Sequence, residues 1–132
     1  AMTNPKLAVS PSVVRYLLAL DALKDSGGIR TIDVARYLNI KKPSAHTMLG
    51  NLRDAEIITK DAAGLSHLTD YGTELTSRYS RYYRAVRGTL ARVLPEQADI
   101  QNAACALVAE LDESTLESLC AECGAERKQN VS

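Results

Sequence analysis

The chain has 132 residues, is 45% hydrophobic and 24% charged, and carries no net charge. That composition suits a globular protein of one domain or two small ones. No apolar run reaches the roughly 18 residues a membrane span needs, which excludes a membrane helix. The start, TNPKLAVSPS, lacks the apolar centre of a signal peptide, so a cytoplasmic location is expected. Ala1 before Met2 reads as an expression scar. Three cysteines fit reduced thiols better than a disulfide framework.

The zero net charge hides a split. Residues 1–94 hold 14 Lys/Arg against 8 Asp/Glu, and residues 95–132 hold 2 against 8. A basic first part suits a polyanionic partner, and an acidic second part repels one.

After a loose arm, Ser10-Pro11 signals the start of a helix, with Ser10 as cap. Val14, Leu17, Leu18 and Leu23 give it a broad apolar face with Asp21 outside it, and Ser26-Gly27-Gly28 stops it at about Asp25. Ile29-Arg30 reads as a short extended link. The stretch from Thr31 to Ala55 then holds two short helical patterns joined by a tight polar step. Thr31 is placed to cap the first, whose apolar positions are Ile32, Val34, Ala35 and Leu38. Asn39 interrupts it and Ile40 is expected to tuck inward. Pro43 suits the first turn of the second helix, in which Ala45, Met48, Leu49 and Leu52 form a buried stripe. The opposite face carries Ser44, Thr47 and Asn51, with His46 at its edge, all side chains able to reach base edges. This is the layout of a helix-turn-helix whose second helix reads DNA.

Ile57–Lys60 and Leu65–Leu68 flank the turn Asp61-Ala62-Ala63-Gly64 and predict a hairpin, the wing of a winged helix. Lys60 is placed there to touch a phosphate, and His67 reads as a lone surface residue of the returning strand. Thr69 caps a long helix through Leu94, with a stripe at Leu75, Tyr79, Tyr82, Val86, Leu90 and Val93 that means core or a dimer seam. Arg78, Arg81, Arg84, Arg87 and Arg92 fan over its other faces; a solvated face with some acidic pairing is favoured over a phosphate track. Pro95 ends this helix. Ala98 to Leu111 forms another, with Ile100, Ala104, Leu107, Val108 and Leu111 inward. Asp112-Glu113-Ser114 opens a last short helix with Leu116 and Leu119, Gly124 ends it, and residues 125–132 are a flexible tail.

This order of elements resembles the DtxR/MntR family of metal-responsive repressors. Ser12-Val13-Val14-Arg15-Tyr16-Leu17 is similar to that family's first helix, and Asp33-Val34-Ala35 with Leu38 and Ile40 to the next. Pro43-Ser44 and Thr47-Met48-Leu49-Gly50-Asn51-Leu52 resemble its recognition helix, and Leu68-Thr69-Asp70-Tyr71-Gly72 its "L-T-x-x-G" after the wing. The likeness spans about residues 8–120 and is to the two-domain, manganese-regulator kind. It implies a mainly α fold: a winged helix-turn-helix DNA-binding domain at 8–72, followed by an all-helical dimerisation domain at 73–124 that the long helix links from about residue 70.

The resemblance departs where the family holds its metal, between the first helix, the long helix and the one after it. The ligand positions fall on Arg15, Leu18, Tyr83, Cys105, Val108 and Ala109, and only Cys105 is a plausible ligand. A divalent cation needs several carboxylate, imidazole or thiolate donors. No cofactor is therefore expected, and Arg15 stands roughly where the ion's charge would be. Cys120-Ala-Glu-Cys123 has no second half for a zinc site and is read as ordinary thiols, with a thiol switch or a site shared with Cys105 as alternatives.

No catalytic arrangement stands out, and an enzyme is not expected. The reading is a homodimeric, sequence-specific DNA-binding regulator, a repressor, with no metal at the family's site. Ser44, His46, Thr47 and Asn51 face the bases, and Lys41, Lys42, Arg53 and Lys60 the phosphates of double-stranded DNA, with Arg30 and Arg36 as weaker phosphate candidates. The alternatives are a metal- or thiol-responsive repressor using Cys105, Cys120 and Cys123, and a winged-helix module for protein–protein interaction.

Overall fold

Ser10 does what the Ser-Pro pair predicts. In the computed structural model, which describes residues 7–131 and the side chains of residues 7–124, its hydroxyl accepts from the Val13 N–H at 3.1 Å and starts α1 (Pro11–Leu23). A single 3₁₀ turn over Lys24–Ser26 follows, and Gly27 closes it at φ 80°. Alpha-helix therefore ends two residues short of Asp25. Asp21 is not simply outside the apolar face. It is half-buried, and its carboxylate accepts from Ser80 Oγ at 3.0 Å and pairs with Lys24 at 3.1 Å.

Next come α2 (Thr31–Leu38) and α3 (Lys42–Asp54). Thr31 is not the cap of α2. Arg30 takes that position in extended backbone, and Asp33 bonds back to the Arg30 N–H at 3.3 Å and to its guanidinium at 2.9 and 3.1 Å. Asn39, at φ 55°, ends α2 in a left-handed turn: the Ile40 N–H reaches Ala35 O at 2.9 Å and the Asn39 N–H reaches Arg36 O at 3.2 Å. This geometry turns Ile40 outward, leaving it 37% exposed rather than tucked in. The end of α3 repeats the device with Glu56 at φ 63°, the Ile57 N–H bonding Leu52 O at 3.0 Å and the Glu56 N–H bonding Arg53 O at 2.9 Å.

Strands β1 (Ile58–Lys60) and β2 (Ser66–Leu68) pair antiparallel, Ile58 opposite Leu68. The Ile29–Arg30 link contributes a third rung: Ile29 and Ser66 exchange both backbone hydrogen bonds at 2.8 Å. His67 is not alone. Its Nε2 lies 2.7 Å from Asp61 Oδ2, while Asp61 Oδ1 accepts from the Ala63 and Leu65 N–H groups at 2.9 Å. Asp61 thus builds the wing turn with one oxygen and holds His67 with the other. The His67 bond, then those two N–H groups, keep its carboxyl below the usual range.

The long helix α4 (Asp70–Val93) starts at Thr69, whose Oγ1 accepts from the Gly72 N–H at 2.9 Å. Leu75, Tyr79, Tyr82 and Val86 of its stripe are buried, whereas Val93 is 73% exposed and does not belong to this core. Then come α5 (Ile100–Glu110), capped by Asp99, and α6 (Glu113–Val131). Leu107 of α5 is 38% exposed and Cys105 is buried in its place. The last helix is not short, and Gly124 does not end it, since the backbone stays helical through that residue.

α1 is the hub. Val13, Val14, Leu17 and Leu20 are 3% exposed or less, and one continuous core joins them to Val34 and Leu52 of the helix-turn-helix and to Tyr82, Val86, Ala104 and Val108 of the later helices. Each such apolar side chain contributes roughly 1.5–3 kcal/mol on burial. The α4–α6 seam adds polar contacts. Arg81 grips Glu117 with two bonds of 2.9 and 3.0 Å, Tyr82 Oη donates to the same carboxylate at 2.6 Å, and Arg78 reaches Glu113 at 2.9 Å.

Candidate nucleic-acid interface and the helix junction

The exposed surface of α3 follows from its buried one. Ala45, Leu49 and Leu52 are buried in the shared core, so the residues between them face out. Lys41, Lys42, Ser44, His46, Thr47, Asn51 and Arg53 are all exposed, as is Lys60 on β1. Ser44, Thr47 and Asn51 share one helical ridge by their spacing of three and four. The Thr47 hydroxyl donates to Pro43 O at 3.1 Å, which leaves its lone pairs outward. His46, Gly50 and Arg53 form a second ridge. With Lys60, Thr31 and Ser66 they line a small cleft between α3 and the wing. The structure therefore gathers His46, Arg53 and Lys60 at one place and Ser44, Thr47 and Asn51 at another. Thr31, read as a cap, belongs to the cleft; nothing in its local sequence distinguishes the two roles.

Gly50 sits inside α3 where an added Cβ would meet nothing within 4 Å, so packing inside this chain does not explain it. What remains is a smooth outer surface on the helix.

The cations sort by partner. Arg78 and Arg81 pair with Glu113 and Glu117 of α6, and Arg30 and Lys24 pair with neighbouring aspartates. Those on α4 hold two helices together, as the pairing reading expected. Lys41, Lys42, Arg53 and Lys60 have no ion pair among the described residues.

At the other side of α1 lies the junction of α1, α2, α4 and α5. Arg15 Nε and Nη2 both donate to Asn102 Oδ1 of α5, at 3.1 and 2.6 Å, while the Asn102 side-chain Nδ2 and backbone N–H donate to the Asp99 carboxylate. Around this bridge is a cavity of about 460 Å³ whose wall includes Leu18, Tyr37, Tyr83, Arg84 and Cys105. Burial pushes the Tyr83 hydroxyl and the Cys105 thiol up, so both stay protonated near neutrality. The donors do not fit a divalent cation: the one carboxylate in the lining, Asp21, is already held by Lys24 and Ser80, and the thiol and phenols beside it stand with a fixed guanidinium. No three His, Cys, Asp or Glu side chains converge on a metal-sized point among the described residues. Nor do the three cysteines meet. Cys105 is at the junction, while Cys120 and Cys123 lie along the α4–α6 seam, their thiols 3.8 and 3.9 Å from Arg81 O and Ala85 O. Burial raises the Cys120 thiol as well, which lowers its reactivity.

A helix-turn-helix with its second helix exposed, then a wing, a long helix and two more, defines a winged helix-turn-helix fold with a helical unit. No protein-family model matches the chain, and no curated protein matches it in sequence. Solved structures do match, and they place the fold among metal-dependent transcriptional regulators. The manganese regulator SloR matches with a TM-score of 0.69 at 20% identity, over 89% of this chain and 55% of that one. IdeR of T. acidophilum matches with a TM-score of 0.64 at 21% identity, over 84% and 53%. ScaR with bound Zn2+ matches with a TM-score of 0.63 at 25% identity, over 80% and 50%. This chain thus spans about half the length of those proteins. The resemblance read from the motifs holds for the fold. Among the described residues, no helix is long and apolar enough to cross a membrane.

Proposed function

We propose that this protein is a homodimeric, sequence-specific DNA-binding transcriptional regulator, a repressor acting in the cytoplasm without manganese or iron at the junction. Residues 8–72 form its DNA-binding unit and residues 73–124 its dimerisation unit. The observation that carries the reading is the set of exposed cations without ion pairs among the described residues, Lys41, Lys42, Arg53 and Lys60, flanking an exposed polar ridge on α3. Lys41 and Lys42 at the start of α3 reinforce the positive end of its dipole, where a phosphate docks well. Ser44, His46, Thr47 and Asn51 face the major groove, Asn51 with the amide that pairs bidentately with adenine. Arg53 and Lys60 reach the backbone beside the wing. Exposed Val93 and Leu107 in the helical unit suit coverage by a second copy, which would present two recognition helices to a palindromic site.

The test is selection from random duplex DNA, with and without chelator. A palindrome recovered equally in both is expected, with affinity falling steeply with salt as counterions are released. Enrichment only with added metal would refute metal independence. No enrichment in either condition would leave the protein-interaction reading.

A further inference from the structure

The junction cavity has a chemistry of its own. The lining carries two guanidinium groups, those of Arg15 on α1 and Arg84 on α4. Arg15 is half-buried and, among the described residues, bonds the neutral amide of Asn102, and Arg84 is exposed with no ion pair among them. The one carboxylate in the lining, Asp21, is already taken by Lys24 at 3.1 Å and Ser80 at 3.0 Å. Asp99 lies behind Asn102 and bonds that residue rather than a guanidinium, so Arg15 and Arg84 have no direct ion pair among the described residues. The lining also holds apolar and aromatic groups, Leu18 and the rings of Tyr37 and Tyr83. At about 460 Å³ the cavity is the size of small-molecule sites, which combine apolar walls with a few convergent polar groups.

We infer that this cavity is an effector site for a small organic anion: a carboxylate on Arg15 and Arg84, its apolar body against Leu18, Tyr37 and Tyr83. Tyr37 lies on α2, the first helix of the helix-turn-helix, two residues before the left-handed turn at Asn39. Arg15, Tyr83 and Cys105 lie on α1, α4 and α5. An occupant therefore touches both the DNA-binding part and the helical unit. Linkage then requires anion and DNA to change each other's affinity by the same factor. The effector role rests on the DNA-binding reading; the binding site does not.

Benzoate is the probe, with neutral benzamide and cationic benzylamine as controls, titrated into the full chain by NMR and calorimetry without DNA. Benzoate is expected to bind in about the millimolar range or tighter, at least about tenfold better than either control, shifting resonances of Tyr37, Tyr83 and Cys105. The Arg15→Gln variant should lose at least about tenfold of that affinity. Arg84→Gln, at an exposed position that does not endanger folding, should lose several-fold. No benzoate binding, equal binding of benzamide, or full binding by both variants would overturn the site. With the recovered operator, saturating benzoate should change DNA affinity by at least about threefold; an unchanged affinity would overturn the effector role. Benzoate binding in a protein that binds no DNA would overturn the regulator reading and leave the site standing.

Discussion

Gly72 opens α4 against a fixed piece of backbone, and replacing it by alanine is the sharpest test of how the wing and the long helix are joined. A Cβ built at Gly72 falls far inside van der Waals contact with the Ile57 carbonyl oxygen and also crowds the Ile57 carbonyl carbon and side chain. That carbonyl cannot yield freely. It accepts from the Thr69 N–H at 3.0 Å and the Thr69 hydroxyl at 3.2 Å, and the same hydroxyl lies 2.6 Å from Glu56 O. Helix propensity alone favours alanine by about 1 kcal/mol. Against that stand overpacking of about 1–3 kcal/mol and two weakened hydrogen bonds of about 1 kcal/mol each. Gly72→Ala should therefore destabilise by about 2–4 kcal/mol. Gly88→Ala is the internal control. It lies in the same helix, where an added Cβ meets nothing within 4 Å. It should stabilise by up to about 1 kcal/mol. Urea unfolding of both variants reads the difference. A Gly72→Ala protein as stable as the parent, or the same sign for both, would refute the argument from close approach.

Three further expectations follow from single features. Glu56 ends α3 at φ 63°, a region costly for a residue with a Cβ, so Glu56→Gly should stabilise by about 1 kcal/mol in the same assay; destabilisation would show that its side chain matters more than its backbone. Gly50→Ala should stabilise the free protein slightly, because space is open there, yet weaken operator binding if a DNA strand approaches that surface; unchanged affinity would remove Gly50 from the interface. The α4–α6 seam should fail at both ends of the pH scale. Burial, then the bond to Glu117, raises the Tyr82 hydroxyl above its ordinary 10.0, so its contribution is intact below pH 10 and lost as pH rises beyond it. Glu117 is held down to about 2 by Arg81 first and Tyr82 second, so its contribution is present above about pH 4.5 and lost as pH falls toward 2. Tyr82→Phe should shrink the alkaline loss of stability, and Glu117→Gln the acid loss, when unfolding midpoints are followed against pH; a profile unchanged by either would refute the seam's role.

Much of this protein is set by local rules that a sequence displays. Ser10-Pro11 and Thr69 act as caps because a hydroxyl one position before a helix has little else to bond. Ala45, Leu49 and Leu52 are inward because a helix has one period and the chain has few ways to bury that stripe. The same period placed Ser44, Thr47 and Asn51 outward, which is why the candidate DNA face was legible. Errors fell where the outcome depended on distant partners. Thr31 and Arg30 compete for one cap, and the exchange between Ile29 and Ser66 draws Arg30 into extended backbone. Ile40 follows a left-handed turn at Asn39 that contains no glycine to announce it. His67 gained a partner because the wing turn folds Asp61 back onto it. Val93 and Leu107 keep the apolar period but run past the neighbours able to cover them.

The junction shows the division most clearly. Its sequence states that most metal donors are missing, since ligand chemistry is a property of residue types. It does not state what the residues present make together. Arg15 and Asn102 are 87 positions apart, and only the packing of α1 against α5 brings the guanidinium to the amide. Only the meeting of four helices leaves a cavity beside them, because the volume between packed elements is a property of their relative placement.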